Sequence, residues 1–440
     1  MPRPGCLLLT SWCLLAILSG CLLAAPSSGT ISTPSTPGQR PVVDATTLDR
    51  KLLMGYQGWF ACPGDGSPLN SWFHWFQSAT PDAASANFDL WPDTSELDVA
   101  EWCPTHFTRP DGSPAPLYSA YQRQTVLRHF QWMKDYDLDG IMLQRFSSEL
   151  STPALFSFRN QVTENVRAGA EALGRVFAIM YDISGHNPST LVADLKRDWT
   201  YLVDVLRITE SPRYLRHRGK PVLAIWGLGF TDRPGTPAQA RELIAYFQRD
   251  AAPQYRVTLI GGVPTHWRTL TGDSQSDPAW AAVYRSFDII SPWSVGRYGD
   301  EAGANDFQRN QIVPDLAEAR AQGPEYMPVV FPGFSWHNLT GGPLNQIPRN
   351  GGRFYWRQVY NALSAGAAMI YGAMFDEVDE GTAMYKLAPT PAELPAQGTF
   401  LPLNIDGYVL PSDWYLRLAG QAGKMLRGDI ALYTAIPITP

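Results

Sequence analysis

Eight short apolar runs, each followed by a segment of helical periodicity, constrain the fold of this chain more than any other sequence feature. The runs are rich in Val, Ile, Met, Phe and Tyr. Such near-continuous apolar runs are typical of parallel strands that are covered on both faces. The predicted strands cover residues 54–60, 140–146, 176–183, 221–226, 257–263, 288–293, 328–334 and 368–375.

The segments between these runs predict helices and therefore an α/β fold. Strands that alternate with helices indicate a parallel sheet, and eight such units favour a (β/α)8 TIM barrel with a long insertion after the first strand. An open parallel sheet with extra strands is the alternative. The predicted helices cover residues 121–136, 155–173, 189–208, 237–249, 278–286, 306–322, 354–365 and 413–426.

Residues 1–21 are typical of a signal peptide of the lipoprotein type. Their apolar stretch is shorter than the roughly 20 residues of a transmembrane helix. It ends in Leu18-Ser19-Gly20-Cys21, which is similar to a bacterial lipobox and makes Cys21 the lipidation candidate. Ordinary cleavage near Ala24 or Ala25 is the alternative. We therefore expect an exported protein, either a cell-envelope lipoprotein or a secreted one, that meets the membrane only through this anchor.

The rest of the chain divides into a tether and one domain. Residues 22–44 are rich in Ser, Thr and Pro and are predicted to be a flexible tether. Residues 45–440 are predicted to form a single domain. It contains Cys62 and Cys103, both in the insertion, and an exported location permits a disulfide between them. Two unpaired buried cysteines are the alternative.

The net charge and the aromatic content of the chain favour a saccharide as its binding partner. The net charge of -6 gives no concentration of Lys and Arg for nucleic acid. The 15 Trp residues offer flat apolar faces of the kind that pack against sugar rings, so the expected partner is an oligo- or polysaccharide. No HExxH, CxxC or EF-hand pattern occurs, and we expect neither a metal nor a cofactor.

Polar and aromatic side chains collect where the predicted strands end, which is the edge at which TIM barrels carry their active sites. Neighbouring strand residues face opposite ways, so one of Gln144 and Arg145 should enter the barrel mouth while the other supports the wall. An ion pair with Arg145 is the alternative to sugar binding by Asp182. The substrate-binding candidates at strand ends are Trp59, Gln144, Arg145, Tyr181, Asp182, Trp226, Trp293, Trp336 and His337.

The insertion, residues 61–117, is too long for a plain connection and is therefore expected to be functional. It adds the binding candidates Asp65, Trp72, His74 and Trp75, with Trp72 and Trp75 preferred as a sugar-stacking pair. The alternative is that its tryptophans form a small core of their own.

Four acids in five positions follow the last predicted strand: Asp376, Glu377, Asp379 and Glu380. Hydrolysis of a glycosidic bond needs two carboxyl groups with different tasks, and crowded acids push each other's pKa values apart so that one stays protonated. A solvated acidic loop is the alternative. The position at the catalytic end of a barrel favours Glu377 and Glu380 as catalytic residues, with Asp376 and Asp379 as binding candidates.

Residues 375–382, Phe-Asp-Glu-Val-Asp-Glu-Gly-Thr, resemble the Asn-Glu-Trp-His-Glu-Gly-Thr segment of glycoside hydrolase family 99, the endo-α-mannosidase and endo-α-mannanase group. The resemblance implies that Glu380 is the general acid/base. It also implies that Glu377 helps the 2-hydroxyl of the sugar to attack, in a retaining mechanism. This chain has Val378 and Asp379 where that family has Trp and His, and Asp376 where it has Asn.

Further segments are similar to the bacterial 99-like proteins named xylosidase/arabinosidase. They are residues 55–60, 63–66, 72, 74–75, 88–93, 139–140 and 144–146. The sequence therefore predicts an exported glycoside hydrolase that acts on a polysaccharide or glycan. A non-catalytic carbohydrate-binding lipoprotein on the same barrel, or a barrel hydrolase of another bond, are the alternatives.

Overall fold

A computed structural model of the protein describes residues 42–440. The expected signal peptide, the lipidation candidate Cys21 and residues 22–41 of the expected tether lie outside the described residues. The strands of the described part are β1 (Leu52–Tyr56), β2 (Gly140–Phe146), β3 (Val176–Asp182), β4 (Arg216–His217), β5 (Lys220–Trp226), β6 (Thr258–Val263), β7 (Ile289–Pro292), β8 (Glu325–Tyr326), β9 (Val329–Val330) and β10 (Ile370–Gly372).

Helices follow the strands as predicted, with bounds that differ by a few residues. Two of them continue into π-helical turns at Tyr246–Asp250 and Gln308–Ile312. The α-helices of the described part are α1 (Arg123–Asp135), α2 (Pro153–Leu173), α3 (Leu191–Asp204), α4 (Pro237–Ala245), α5 (Ala279–Tyr284), α6 (Glu301–Phe307), α7 (Val313–Gln322), α8 (His337–Thr340), α9 (Arg353–Ser364) and α10 (Trp414–Arg427).

The parallel sheet closes on itself through the segment of residues 325–330. Pairing runs from β8 through β7, β6, β5, β3, β2, β1 and β10 to β9, so the two ends of the sheet are consecutive pieces of one segment. Its middle joins both neighbours: the Met327 amide donates to Ile290 (2.9 Å), and the Pro328 carbonyl accepts from Tyr371 (3.0 Å). This closure confirms the predicted (β/α)8 barrel over the open sheet. The extra strand β4 forms a short antiparallel hairpin with β5.

Strands β1 and β10 are shorter than their apolar runs predict, because the chain leaves the sheet there to build the acid-rich loop. Beyond β1, the amides of Gln57 and Gly58 donate to Asp376 instead of to a neighbouring strand. Beyond β10, the Phe375 amide donates to Gly55 and its carbonyl accepts from Met384. The apolar residues at these ends therefore cover the core without extending the ladder.

Helix α2 shows how the sequence fixes one barrel layer. Pro153 occupies its first turn, where no intrahelical partner is lost, and Gly174 ends it at φ 68° in the left-handed region. Phe158, Val162 and Val166 are fully buried at helical spacing, and each contributes about 1.5–3 kcal/mol through burial. The stripe holds the helix against the strands.

Within residues 42–440, no helix combines the length and the apolar character that crossing a bilayer requires.

The insertion after β1 contains an aromatic core of its own. Trp75 is fully buried, stacks on Phe60 at 3.9 Å between ring centroids, and donates its indole N–H to the Tyr118 carbonyl. The side chains of Phe88 and Trp91 extend this cluster. A disulfide joins Cys62 to Cys103 across the insertion, with 6.0 Å between their Cα atoms.

Candidate active site

A cleft of about 690 Å³ opens at the C-terminal ends of the barrel strands. Four tryptophans line it: Trp59 after β1, Trp226 at the end of β5, Trp293 after β7 and Trp336 after β9. The carboxyl groups of Glu377 and Glu380 lie in the same cleft. Its other polar lining residues are Gln57, Gln144, Asp182, Ser184, Thr231, Asp232, Arg233, Asp273, Arg297 and Gln346.

Asp376 ties the acid-rich loop to the end of β1. Its side chain is fully buried, and its two oxygens accept the backbone N–H groups of Gln57 (2.7 Å) and Gly58 (2.9 Å). Burial raises the pKa of Asp376 to about 7, although both amide bonds oppose that rise. Asp376 therefore fixes the position of its neighbour Glu377 from outside the cleft.

Glu377 is held by hydrogen bonds, whereas Glu380 is not. Gln57 Nε2 donates to Glu377 Oε1 at 2.5 Å and Thr382 Oγ1 donates to Oε2 at 2.8 Å, and the side chain is only 4% exposed. Glu380 is partly exposed to the cleft, and within residues 42–440 no hydrogen bond to its carboxyl group is formed. Donors favour the ionised form of a carboxyl group, so the two glutamates sit in different environments.

Burial and neighbouring negative charges raise the pKa values of the acids at the cleft. Burial raises the pKa of Glu377 well above its ordinary value, and the negative charges of Glu380 and Asp379 add to this rise. Burial also raises the pKa of Glu380, with Asp379 and Asp182 adding to the rise and Arg233 opposing it. Across the cleft, burial raises the pKa of Asp182 to about 6. The site therefore retains protons at a pH where exposed carboxyl groups have lost them.

Asp379 connects the loop to the insertion through His74. Its Oδ2 atom lies 3.3 Å from His74 Nδ1, while its Oδ1 atom is buried without a hydrogen-bond partner. The His74 ring stacks flat on Trp59, with 3.7 Å between centroids and 6° between planes. Burial lowers the pKa of His74 to about 3 and raises that of Asp379, so the pair favours its uncharged form.

The loop is clamped from behind by backbone contacts. Gly381 has φ +67°, and a Cβ atom there would lie 2.6 Å from the Ser335 amide, so only glycine fits. That amide donates to the Glu380 carbonyl at 3.0 Å. The Arg349 guanidinium donates to the carbonyls of Gly381 (2.8 Å) and Ala383 (2.7 Å). These contacts hold Glu380 at the cleft without using its carboxyl group.

Asp89 of the insertion holds the loop that follows β9. Its carboxylate accepts the Ser335 hydroxyl and the backbone N–H groups of His337 (2.8 Å) and Asn338 (2.8 Å). The cleft residue Trp336 lies between these anchored positions. The insertion thus positions one wall of the cleft although its own tryptophans lie elsewhere.

Two arginines mark the rim of the cleft. Arg233, after β5, lies 5.2 Å from the Trp226 ring and pairs with the exposed Asp232 at 2.6 Å. Arg297, after β7, pairs with Asp273 at 2.7 Å. The indole N–H groups of Trp59, Trp226 and Trp336 are buried and have no partner among the described residues. The cleft therefore combines flat aromatic faces with polar and charged lining side chains, an arrangement that suits a hydroxyl-rich ligand.

The structure brings eight of the predicted residues together in the cleft. They are Trp59, Gln144, Asp182, Trp226, Trp293, Trp336, Glu377 and Glu380. Three further candidates, His74, Asp376 and Asp379, contact or flank these residues from behind. Of the adjacent pair at the end of β2, Gln144 enters the cleft and Arg145 is buried in the wall.

Several candidates for substrate binding lie outside the cleft, because their side chains bond within the protein. Trp75 belongs to the insertion core, so the preferred pair of Trp72 and Trp75 was wrong as a stacking platform; Trp72 packs on Phe76. Asp65 accepts from Ser67 and Ser119 inside the insertion.

At the barrel wall, Arg145 pairs with Asp198 at 2.6 Å, and Tyr181 donates its hydroxyl to the same carboxylate. The ion pair between Arg145 and Asp182, which was the alternative to sugar binding by Asp182, is therefore not formed. His337 uses its ring nitrogen Nδ1 on the Gly342 carbonyl and does not line the cleft.

The sequence prediction missed residues on the loops after β5 and β7. Phe230, Asp232, Arg233 and Arg297 line the cleft, but no strand-end pattern marks them. Gln57 also lines it; its position at the end of the first apolar run marks it as a strand-end residue, although it was not among the binding candidates.

One described group has the residue types of a metal site, and it lies at the opposite end of the barrel. Ligand atoms of Asp49, His217 and Glu325 all fall within 4.8 Å of one another. The Leu48 amide donates to His217 Nδ1 (3.1 Å), which leaves Nε2 to donate to Glu325 (2.8 Å). Arg218 pairs with Glu325 as well. These contacts form an ion-pair cluster in which the imidazole has no free lone pair.

Comparison with known proteins identifies solved structures of the same fold. No protein-family model and no curated protein matches the sequence. Two structures of the GH99 endo-alpha-mannosidase from Bacteroides thetaiotaomicron are similar, one of them in complex with bis-tris propane. Their TM-scores are 0.62 and 0.60 and their identities 16% and 17%, and each comparison covers 87% of this chain and 99% of the other.

A glycoside hydrolase-like protein is also similar, with a TM-score of 0.50, 14% identity, and coverage of 79% of this chain and 98% of the other. At these identities the similarity shows the fold, so the chemistry must be argued from the site.

Proposed function

We propose that this protein is a retaining glycoside hydrolase that cleaves an O-glycosidic bond with Glu380 as acid/base and Glu377 as its carboxylate partner. The observation that carries the proposal is the convergence of these two glutamates in one cleft walled by four tryptophans. The shared fold with a GH99 endo-alpha-mannosidase supports it. We extend the proposal to α-linked glycans as the substrate class.

The unequal surroundings of the two glutamates assign their roles. Burial raises the pKa of both glutamates, and the charge of Glu380 adds to the rise at Glu377, so the pair retains a proton over a wide pH range. The hydrogen bonds that Gln57 and Thr382 donate to Glu377 oppose this rise, whereas the Glu380 carboxyl group accepts none from the described residues, so we assign the charge to Glu377 and the proton to Glu380. A protonated, partly exposed Glu380 is suited to donate to the leaving oxygen.

The reaction then divides into two balanced steps. Glu377 removes the proton of the 2-hydroxyl, the freed oxygen forms a bond to the anomeric carbon, and the glycosidic bond breaks as Glu380 protonates the leaving oxygen. In the second step, Glu380 takes a proton from water, and the resulting hydroxide attacks the anomeric carbon. The bond from O2 to that carbon breaks, and O2 recovers its proton from Glu377. Retention follows from two inversions.

The aromatic walls supply binding without chemistry. The rings of Trp226 and Trp293 lie 5.4 Å apart at 72°, so they form two faces of a corner. Sugar rings can pack on such faces while polar lining side chains such as Gln144 and Asp182 bond to hydroxyls. The cleft accordingly favours an oligosaccharide or polysaccharide over a charged small molecule.

Hydrolysis of defined glycans tests the proposal. Wild type, Glu380→Gln and a remote control, Glu318→Gln, would be incubated with α-mannans, arabinans and xylans, and reducing ends and binding measured. We expect turnover by wild type and the control, and binding without turnover by Glu380→Gln. Absence of turnover on every glycan, with equal binding by all three proteins, would instead support the non-catalytic carbohydrate-binding alternative.

We also propose that the protein is exported and anchored at Cys21. The lipobox-like sequence supports the anchor, and the disulfide between Cys62 and Cys103 is typical of oxidising compartments. Metabolic labelling of cells with a radioactive fatty acid, with Cys21→Ala as control, tests this: label in wild type alone is expected.

A further inference from the structure

A groove at the opposite end of the barrel from the cleft is lined by four cations. It has a volume of about 840 Å³ and lies where the connections after α3 and before β6 meet the N-terminal ends of the strands. Its cations are Arg207, Arg216, Lys220 and Arg256. We call this surface the basic groove.

None of the four cations of the basic groove forms an ion pair with an acid of residues 42–440. Arg216 donates to the Thr209 carbonyl (3.0 Å) and Arg256 to the Ala251 carbonyl (2.8 Å), while the Arg207 side chain is exposed. Elsewhere on the surface, Arg197 and Arg353 pair with carboxylates at 2.6 and 2.7 Å. The positive charges of the basic groove are therefore not neutralised by neighbouring carboxylates, as those of Arg197 and Arg353 are.

The charge of the basic groove also runs against that of the whole chain. Two carboxylates, Asp204 and Glu210, line the groove beside the four cations, and Asp204 is occupied by the Tyr255 hydroxyl at 2.6 Å. The complete sequence has 35 Lys and Arg against 41 Asp and Glu. A local excess of positive charge on an acidic protein indicates an anionic partner.

The N-terminal end of the described chain lies beside this groove. The Ala45 carbonyl accepts from the Arg216 amide (2.7 Å), and the Val43 carbonyl accepts from the Arg213 guanidinium (2.7 Å). The described chain therefore begins at this face. Twenty residues between Cys21 and Val42 can span as much as about 70 Å, so a lipid at Cys21 alone does not hold any face of the domain against a membrane.

We propose that the basic groove binds the phosphate groups of an anionic membrane surface and turns the cleft away from it. The four cations supply charge complementarity to anionic headgroups, and the described chain begins at this face. Since the cleft opens at the other end of the barrel, a docked protein presents it to glycans outside the membrane. The proposal does not depend on hydrolase activity.

Binding to vesicles tests the proposal on the full chain. Every protein compared would carry Cys21→Ser, which removes the lipid. The apolar N-terminus then contributes equally to the membrane binding of all of them. Sedimentation would compare phosphatidylcholine vesicles with and without phosphatidylglycerol, at low and high salt. The test variant carries Arg207→Gln, Arg216→Gln, Lys220→Gln and Arg256→Gln. The matched control removes four exposed cations elsewhere, at Arg123, Arg241, Arg249 and Arg309. Circular dichroism melting would establish that both variants fold.

The expected result is salt-sensitive binding that requires phosphatidylglycerol. Each cation near an anionic surface contributes about five-fold, so the test variant should lose roughly a hundred-fold in partitioning or more, and the control only a few-fold. Equal losses in both variants, or binding that ignores phosphatidylglycerol, would overturn the proposal. So would displacement by inorganic phosphate at constant ionic strength, because that result would assign the groove to a soluble phosphate.

If the test variant unfolds, the single change Arg207→Gln, at an exposed side chain, replaces it. A loss of about five-fold is then expected, and no loss would contradict the proposal.

Discussion

Gln57, at the end of the first barrel strand, donates a 2.5 Å hydrogen bond from its side-chain amide to Glu377, which lies 320 residues later in the sequence. The bond connects the segment after β1, the first barrel strand, with the segment after β10, the last one. These two strands pair with each other in the sheet. It also supplies one of two donors to the carboxyl group that the proposed reaction needs in its ionised form.

Replacement of Gln57 by Ala should therefore reduce turnover more than binding. Loss of a donor to a charged, buried carboxylate costs about 1.5–3 kcal/mol, which corresponds to a decrease of roughly ten- to hundred-fold in kcat. The pKa of Glu377 should rise as well, so the acid limb of the pH profile should move to higher pH. Steady-state kinetics across pH would measure both effects.

Gln144→Ala is the matched control for this change. Gln144 also lines the cleft, but its amide donates to the Tyr371 hydroxyl at 2.8 Å and not to a glutamate. Its loss should leave the acid limb in place. An equal displacement of the limb by both variants would contradict the role given to Gln57.

Asp379→Asn should move the alkaline limb of the pH profile of hydrolysis to lower pH. Burial raises the pKa of Asp379 to about 8, so its negative charge forms only as the pH rises through that value, where it raises the pKa values of Glu377 and Glu380. Without that charge Glu380 loses its proton at a lower pH, while the acid limb, where Asp379 is uncharged, stays in place. Asp232→Asn, which removes an exposed charge at the cleft rim, should shift the profile less. A shift to higher pH would contradict this reading of the acid cluster.

Alanine substitutions at Trp226 and Trp75 should affect different properties, glycan binding in the first case and stability in the second. Trp226 lines the cleft and Trp75 is fully buried in the insertion. Trp226→Ala is expected to weaken glycan binding by about ten-fold while leaving the melting temperature nearly unchanged. Trp75→Ala should lower the free energy of unfolding by about 3–5 kcal/mol. Calorimetric binding and denaturant unfolding would distinguish the two effects. If Trp75→Ala folded and weakened glycan binding while Trp226→Ala did not, the assignment of Trp226 to binding and Trp75 to stability would be wrong.

The paired change Cys62→Ser with Cys103→Ser should lower the free energy of unfolding by about 2–4 kcal/mol, because the disulfide closes a loop of 41 residues in the unfolded chain. Thermal unfolding of wild type with and without reductant provides the measurement. Reductant should bring wild type to the melting temperature of the variant and leave the variant unaffected. An unchanged wild-type transition under reductant would show that the bond contributes nothing to stability.

The barrel was predictable from sequence because its strands are buried on both faces. Residues 140–146 form a strand with the same bounds as their apolar run, and the alternation with helices gave the parallel order. The short segment of residues 325–330 was harder to place, since its two pieces pair with different neighbours. Closure of the sheet depends on pairing between strands that are far apart in the sequence, and a local residue pattern does not show such pairing.

Glu377 and Glu380 could be proposed as a catalytic pair because both lie in one run of the sequence, whereas the tryptophans that wall the cleft could not be told apart from those of the core. Trp75 and Trp226 are equally aromatic in sequence, and only packing separates a core indole from a cleft indole. Arg145 ended a strand as expected but found Asp198 on a neighbouring helix. Arg233 and Arg297 lie on loops, where position follows from tertiary contacts rather than from periodicity.

The carboxylate of Asp89 has a consequence for anyone who would trim this protein to a minimal scaffold. Excising the insertion would remove the acceptor of Ser335, His337 and Asn338 at once, and each lost hydrogen bond to a charged group costs about 1.5–3 kcal/mol. The insertion and the cleft therefore depend on each other: grafting the acid-rich loop onto another barrel would require carrying the insertion with it.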